Sequence, residues 1–257
     1  MDYQQQLNQR QNHIYNYIKR EGEVKISDLT DHFQVVEVTI RRDFEKMEKL
    51  GLIKRTYGGA ILIVESDVSL NDRENLNKSA KRLIGKKAAE FVKNGEAIFL
   101  DAGTTTPHVI QYLPTDWNLV VVTNALNVAT KSHSANIEKI VVGGMLLDST
   151  SSLVGPIAEA TLDNLTYDRA FLAATGFSLE QGLSNSNLFE VQIKRKVMQQ
   201  SKEVNFLIDH SKFGVQFLYK ITMIDKVDRI ITDKEPPNEY KEIIKRAGVE
   251  LVVCETI

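Results

Sequence analysis

The chain has 257 residues, 42% hydrophobic and 26% charged, a composition that fits an ordinary globular protein with length for one large domain or two. Its 32 basic and 34 acidic side chains leave a net charge of −2, so the chain as a whole gives no argument for nucleic acid, and any such affinity has to be local. The lone cysteine, Cys254, excludes an intrachain disulfide framework and suits a reducing compartment. No run approaches the roughly 20 apolar residues of a membrane span, and the opening MDYQQQLNQRQ lacks the apolar core of a signal peptide. A cytoplasmic protein with no membrane partner is expected.

Leu7, Ile14, Tyr17 and Ile18 fall at helical spacing and predict a helix from about Gln6 to Arg20, ended by Gly22. Ser27 is the expected N-cap of a short helix through Phe33, with Gln34 and Val35 as the turn after it. A third helix is predicted from Glu37 to Leu50, with Gly51 as its stop. Its inner face is Ile40, Phe44, Met47 and Leu50, and its opposite face carries Val38, Arg41, Arg42 and Glu45. Leu52–Arg55 and Ala60–Val64 are expected to pair as a hairpin through Tyr57, Gly58 and Gly59. Three helices followed by a two-stranded wing outline a winged helix-turn-helix over residues 1–62.

Local charge supports that outline. Residues 41–60 carry six basic side chains (Arg41, Arg42, Lys46, Lys49, Lys54, Arg55) against three acidic ones (Asp43, Glu45, Glu48). Thr39, near the helix start, can offer its hydroxyl and backbone N–H to a phosphate, and Arg41 and Arg42 can act as forks to guanine or as phosphate clamps. Lys54, Arg55 and Tyr57 on the wing would reach the flanking backbone. Charge and periodicity alone also allow a solvated basic helix in a protein–protein module.

The polar run ESDVSLNDRENLNKSA reads as a linker with room for a short helix, giving a linker over residues 63–80. Residues 81–257 then alternate short apolar runs with helical segments. Helices are predicted over 81–92, 107–113, 126–131, 156–165, 188–201 and 239–247. Strands are predicted over 97–100, 119–123, 139–142, 170–173, 204–208, 229–232 and 250–253. This alternation predicts an α/β domain with a mostly parallel sheet, whose ligands sit at the carboxyl ends of the strands.

The strand ends are polar. Asp101-Ala-Gly-Thr-Thr-Thr106 joins an apolar strand to a helix and can form a cradle of N–H and O–H donors for an anion, although such turns also use glycine and threonine structurally. Thr123-Asn124, Gly143-Gly144, Thr175-Gly176, Gly182-Leu183-Ser184 and the run from Asp209 to Gly214 recur at later strand ends. The five histidines have no metal-ligand spacing, and neither a metal nor an organic cofactor is expected. His210 is read as a surface turn residue.

The stretch TIRRDFEKMEKLGLIKRTYGGA resembles the helix-turn-helix signature of the DeoR family of bacterial transcriptional repressors, through Thr39, Ile40, Arg41, Arg42, Asp43, Gly51, Gly58, Gly59 and Ala60. LDAGTTT, VVTNA, VVGG, GLSNSNLFEVQIKRKVM and LIDHSKFG resemble the same family's effector domain, which is similar in fold to ribose-5-phosphate isomerase and the CoA transferases. The resemblance implies a DNA-binding regulator of a carbohydrate-utilisation operon, most simply a repressor, induced by a phosphorylated sugar or polyol and acting as a homo-oligomer on double-stranded operator DNA. It assigns DNA contact to Ser27, Glu37, Val38, Thr39, Arg41, Arg42, Lys54, Arg55 and Tyr57. Effector contact is assigned to Asp101, Gly103, Thr104, Thr105, Thr106, Thr123, Asn124, Gly143, Gly144, Thr175, Gly176, Glu190, Lys194 and Lys212. Glu190 and Lys194 fit equally an exposed i,i+4 helix ion pair, and Asp209 and Lys212 fit turn residues. Three positions depart from the family pattern: Val36 stands where serine is usual, Thr175 where Asp or Asn is common, and Gln192 where an acid is frequent. The competing expectation is a sugar-phosphate isomerase with an attached DNA-binding domain, for which Asp101, Glu190, Asp209 and Lys212 are candidate groups. Thr175 removes a carboxylate from one loop such chemistry could use, so no catalytic residue is assigned.

Overall fold

A computed structural model describes residues 7–21, 23–50, 52–56, 58–62, 70–131 and 136–254. Gln6, Gly22, Gly51, Tyr57, residues 63–69 of the expected linker and His133 lie outside the described residues, as do the side chains of Arg20 and Lys54. The chain forms two units, Met1–Val68 and Ser69–Ile257. No described helix is long and apolar enough to cross a membrane.

The first unit contains α1 (Gln9–Glu21), β1 (Glu23–Lys25), α2 (Ile26–Phe33), α3 (Glu37–Lys49), β2 (Ile53–Arg55) and β3 (Gly59–Leu62). Its core is the stripe expected of α3 (Ile40, Phe44, Met47) packed with Ile14 and Ile18 of α1, Leu29 of α2 and Ile53 of β2. Leu50 closes it only partly buried. The wing is wider than a hairpin. β1 pairs antiparallel with β3, giving a three-stranded sheet in the order β1-β3-β2. Three residues of EVK are too few for a period to show, so sequence alone missed this strand. The pairing explains Gly59, where a Cβ would come within 1.9 Å of the Val24 carbonyl oxygen.

The second unit begins earlier than the apolar pattern suggested, because α4 (Leu70–Asn75) and α5 (Lys78–Ala89) both belong to it. Arg73 of α4 donates to the Ser149 carbonyl at 2.9 Å, and the Lys81 ammonium donates to the Arg73 carbonyl. These contacts are made by side chains of a polar run, where periodicity gives no warning. Next come β4 (Ala97–Leu100), a 3₁₀ segment (Thr106–Tyr112), β5 (Leu119–Thr123), α6 (Leu126–Ala129) and β6 (Ile137–Val141). A hairpin of β7 (Met145–Leu147) and β8 (Ser152–Val154) leads to α7 (Pro156–Leu162) and β9 (Tyr167–Ala173). β10 (Gly176–Ser178), β11 (Gly182–Asn185), α8 (Leu188–Gln200), β12 (Ser201–Leu207) and β13 (Tyr219–Thr222) follow. β14 (Arg229–Thr232), α9 (Asn238–Arg246) and β15 (Glu250–Val253) complete it.

Seven of these strands form one parallel sheet in the order β15-β14-β12-β9-β4-β5-β6. Two apolar cores cover its faces, one around Phe99, Tyr167 and Phe206 and the other around Ile98, Val121 and Phe171. Adjacent residues Ile98 and Phe99 thus point to opposite cores, as the pleat requires. The chain runs outward from β4 through β5 to β6, then returns to the other side of β4 with β9 and continues outward to β15. The order therefore reverses between β4 and β9, the position where open parallel sheets leave a crevice at their carboxyl edge.

The antiparallel additions were not among the strands expected from sequence. β10, β11 and β13 form a separate small sheet, and β7 pairs with β8. Gly176 is the buried first residue of β10, where a Cβ would meet the Val215 carbonyl oxygen at 2.4 Å. Packing by itself therefore accounts for a glycine at this position. Gly144 (φ +125°) opens the β7–β8 hairpin with the Val154 carbonyl 2.6 Å from where a Cβ would sit, and Gly143 lies against Ile157. Close backbone approach and a positive φ explain Gly144, whereas a Cβ at Gly143 would make only ordinary contact with the Ile157 side chain.

Candidate DNA interface and effector site

The DNA face is built on α3. Its exposed side carries Val38, Arg41, Arg42 and Glu45, in positions fixed by the burial of Ile40, Phe44 and Met47 on the other side. The two arginines are not equivalent. Arg41 donates through Nε (2.8 Å) and Nη2 (2.5 Å) to Oε1 of Glu37, one turn earlier. Arg42 makes no hydrogen bond or ion pair among the described residues, so its five donors are free. On the wing, Arg55 is held by Glu48, which accepts from its backbone N–H at 2.9 Å and its Nε at 2.6 Å. That pair braces β2 to α3, and the Arg55 guanidinium is correspondingly less available than the sequence suggested.

Two expectations at the helix ends are corrected. Ser27 lies inside α2, whose N-cap is Lys25, and its hydroxyl donates to Asp28 at 3.1 Å rather than capping. The backbone N–H of Thr39 already donates to the Val36 carbonyl at 2.9 Å, which leaves only its hydroxyl for a phosphate. Val36 occupies the N-cap of α3 with no side-chain cap and is 71% exposed. Val36→Ser supplies the missing acceptor and is expected to stabilise the first unit by about 1 kcal/mol. Denaturant unfolding followed by helical circular dichroism measures this, and an unchanged or lower midpoint would refute it.

One residue was matched by the family pattern without its role being seen. Asp43 is 4% exposed and accepts from Arg10 Nε at 2.6 Å and Gln11 Nε2 at 2.8 Å, tying α3 to α1. The signal was available. Asp43 falls on the apolar stripe with Ile40, Phe44 and Met47, and a carboxylate there needs buried partners.

The second site lies at the carboxyl edge of the parallel sheet, at the β4/β9 reversal. Asp101, directly after β4, is 1% exposed, accepts from the Ala173 backbone N–H at 3.0 Å and forms an ion pair with Lys194 of α8. Burial pushes its carboxyl above the usual range, opposed by the Lys194 charge and the Ala173 N–H and reinforced by nearby Glu190. Lys194 is itself 1% exposed, and Glu190 at 6% accepts from the Ser152 hydroxyl at 3.3 Å. The exposed i,i+4 reading of Glu190 and Lys194 is therefore wrong. The packed side of α8 carries both, and the lysine turns to the sheet rather than to its helical neighbour.

The loop beyond Asp101 divides into braces and open donors. Thr106 donates to the Asp101 carbonyl at 2.6 Å and Thr123 to the Leu100 carbonyl at 2.6 Å. Asn124 accepts from the Ala102 N–H at 3.2 Å and donates to the Leu153 carbonyl at 3.3 Å. These hydroxyls and this amide brace the loop through the hydrogen bonds they make. The Asp101 carboxylate likewise anchors the loop, through the Ala173 N–H and Lys194. The backbone N–H groups of Gly103, Thr104 and Thr105, with the Thr104 and Thr105 hydroxyls, have no partner among the described residues. Consecutive free N–H groups of this kind form an anion-binding concavity. Asn127 donates to the Gly103 carbonyl at 3.0 Å, and its own Oδ1 is buried without a partner.

The β12 strand end adds a second charged group. Asp209 accepts from Asn77 (3.2 Å) and from the Ser211 backbone N–H (2.9 Å) and hydroxyl (2.5 Å), with the Lys212 ammonium 3.8 Å from its Oδ2. Burial raises its carboxyl, but Lys212, the two Ser211 hydrogen bonds and Lys81 outweigh that and hold it below the usual range. His210 is no free turn residue, since its Nδ1 lies 2.7 Å from Asp233 and its backbone N–H donates to the same carboxylate at 2.7 Å. Thr175 is half-buried with its N–H on the Ser184 carbonyl at 3.0 Å.

Comparison with known proteins agrees with both halves. The family model described as "DeoR-like helix-turn-helix domain" matches residues 10–66, and that described as "DeoR C terminal sensor domain" matches residues 76–234. An uncharacterised HTH-type transcriptional regulator of Bacillus subtilis is 36% identical over 88% of this chain and 88% of its own. The glycerol-3-phosphate regulon repressor of Escherichia coli is 34% identical over 96% of this chain and 98% of its own. Among solved structures, ribose 5-phosphate isomerase A of Methanocaldococcus jannaschii aligns with 53% of this chain and 55% of its own at 19% identity, with a TM-score of 0.39. A winged helix, a parallel-sheet unit and matches across both units lead to one conclusion: the chain belongs to the DeoR family of helix-turn-helix transcriptional regulators.

Proposed function

We propose that this protein represses a carbohydrate-utilisation operon by binding operator DNA through α3 and the wing, and that a phosphorylated sugar or polyol releases it. The observation that carries the effector half is the run of unpartnered N–H groups at Gly103, Thr104 and Thr105, next to a buried lysine–carboxylate pair at the sheet's reversal point. A phosphate fits that cradle, and the open hydroxyls of Thr104 and Thr105 extend it. Lys212 is the group suited by its charge to meet the polyol end. The regulon named for the E. coli relative concerns a phosphorylated polyol, which supports the same ligand class here. For the DNA half, Arg42 supplies the free guanidinium, while Arg41 adds its charge from within its pair with Glu37. Homo-oligomer formation follows from the geometry of paired half-sites, about one helical turn apart.

Sensing is favoured over turnover because the carboxylates a proton transfer would need are already engaged. Asp101 is taken by Lys194 and the Ala173 N–H, and Glu190 by Ser152. The test is a thermal-shift screen of sugar and polyol phosphates against their unphosphorylated parents. A specific effector at about 100 times its Kd is expected to add roughly 2.7 kcal/mol, a shift of several degrees. The parent alcohols are expected to give none. Stabilisation equal for phosphorylated and parent compounds would refute the cradle, and isomerised product in the same incubations would overturn the sensor reading.

A further inference from the structure

The exposed face of α3 begins with an apolar side chain that the fold does not use. Val38, the second residue of the helix, is 57% exposed and makes no part of the core that takes Ile40, Phe44 and Met47. It shares its face with Arg41, Arg42 and Glu45 at helical spacing, so it heads the stripe that would enter a groove. The first turn of a recognition helix is the part that meets base edges in the major groove. The apolar feature on that edge is the C5 methyl of thymine, which marks T·A against every other pair. The charge around Val38 suits a duplex, because Arg42 lies one turn along with no hydrogen bond among the described residues and Glu37 is paired with Arg41. A valine so placed cannot hydrogen-bond a base, which leaves packing on a methyl as the way it can discriminate.

We propose that Val38 reads a thymine methyl group in the operator half-site, its two γ-methyls packing on the C5 methyl and excluding water from it. This rests on the DNA-binding reading. The test begins with duplexes enriched from a random-sequence library by the full chain. Each thymine of the enriched half-site is then replaced singly by deoxyuridine, which removes the methyl and keeps the base pairing. Binding is measured with the wild-type chain, Val38→Ala and Val38→Ile. At one thymine, deoxyuridine is expected to weaken wild-type binding about three- to fivefold, the effect of withdrawing one buried methyl. Val38→Ile is expected to keep that penalty and Val38→Ala to lose it, while the remaining thymines respond alike in all three proteins. The side chain is exposed, so both variants are expected to fold, as circular dichroism would check. Deoxyuridine proving neutral at every position, or costing Val38→Ala as much as wild type, would overturn the proposal. Enrichment of no sequence at all would defeat the DNA-binding reading and this inference with it.

Discussion

Lys194→Met is expected to destabilise the second unit by about 3–5 kcal/mol, the scale of removing one partner from a buried ion pair. The lysine is 1% exposed and its partner Asp101 is equally buried, so solvent cannot replace the lost charge. The fault lies in the carboxylate left behind, and the pH dependence should show it. Asp101 already titrates above the usual range because of burial, and loss of Lys194 raises it further. A carboxyl whose folded pKa exceeds its unfolded value penalises the fold increasingly as pH rises from the unfolded value through the folded one. The deficit of Lys194→Met against wild type should therefore narrow as pH falls toward about 4, the ordinary aspartate value. Adding Asp101→Asn removes the uncompensated charge and should restore much of the stability at neutral pH. Denaturant unfolding monitored on the second unit measures all three proteins. A loss under about 1 kcal/mol, or a double variant no better than Lys194→Met, would show that the pair is not what holds the loop after β4.

Arg42→Ala is expected to cost specific operator binding by roughly 1–3 kcal/mol, or about 5- to 150-fold, with the fold intact. Its guanidinium makes no hydrogen bond among the described residues, so a DNA contact breaks none of those shown. Arg41→Ala should cost less at any base-specific position, because two of its donors are committed to Glu37. Its loss would also free the Glu37 carboxylate to repel phosphate, and the deficit should fade as salt is raised. Fluorescence anisotropy across a salt series separates these effects. Equal, salt-independent losses for the two variants would contradict the division of labour drawn from their hydrogen bonds.

The gap between what the residues announced and what the structure holds follows a physical pattern. Four strands of the parallel sheet, Ala97–Leu100, Leu119–Thr123, Arg229–Thr232 and the edge strand Glu250–Val253, were legible residue for residue from their short apolar runs, whereas the central β9 and β12 begin three residues before the predicted 170–173 and 204–208. β1, β7, β8, β10, β11 and β13 are three or four residues each, too short for a period, and pair as antiparallel additions that glycine-rich loops disguised. The polar residues of the strand ends were found as a group, but their division into contacts and braces was not. Thr106, Thr123 and Asn124 have the composition of ligand donors and turn out to hold the loop, whereas Thr104 and Thr105 stay open. Residue type alone does not separate a hydroxyl that meets a backbone carbonyl from one that meets solvent.

The stretch Val38–Ala60 carried its own meaning in sequence, since helix, stop, wing and basic excess are all local properties of consecutive residues. Periodicity likewise specified the parallel sheet and, through it, the edge where a ligand belongs. Tertiary structure alone decided the long-range partnerships. It set Lys194 on Asp101, 93 positions away, rather than on Glu190 four positions away. It also buried Asp43 between Arg10 and Gln11 and gave the Arg41 guanidinium a hydrogen-bonded partner, Glu37, which Arg42 lacks among the described residues. The reason is the same in each case: local sequence fixes which face of an element a side chain occupies, while the partner it finds there depends on which distant element covers that face.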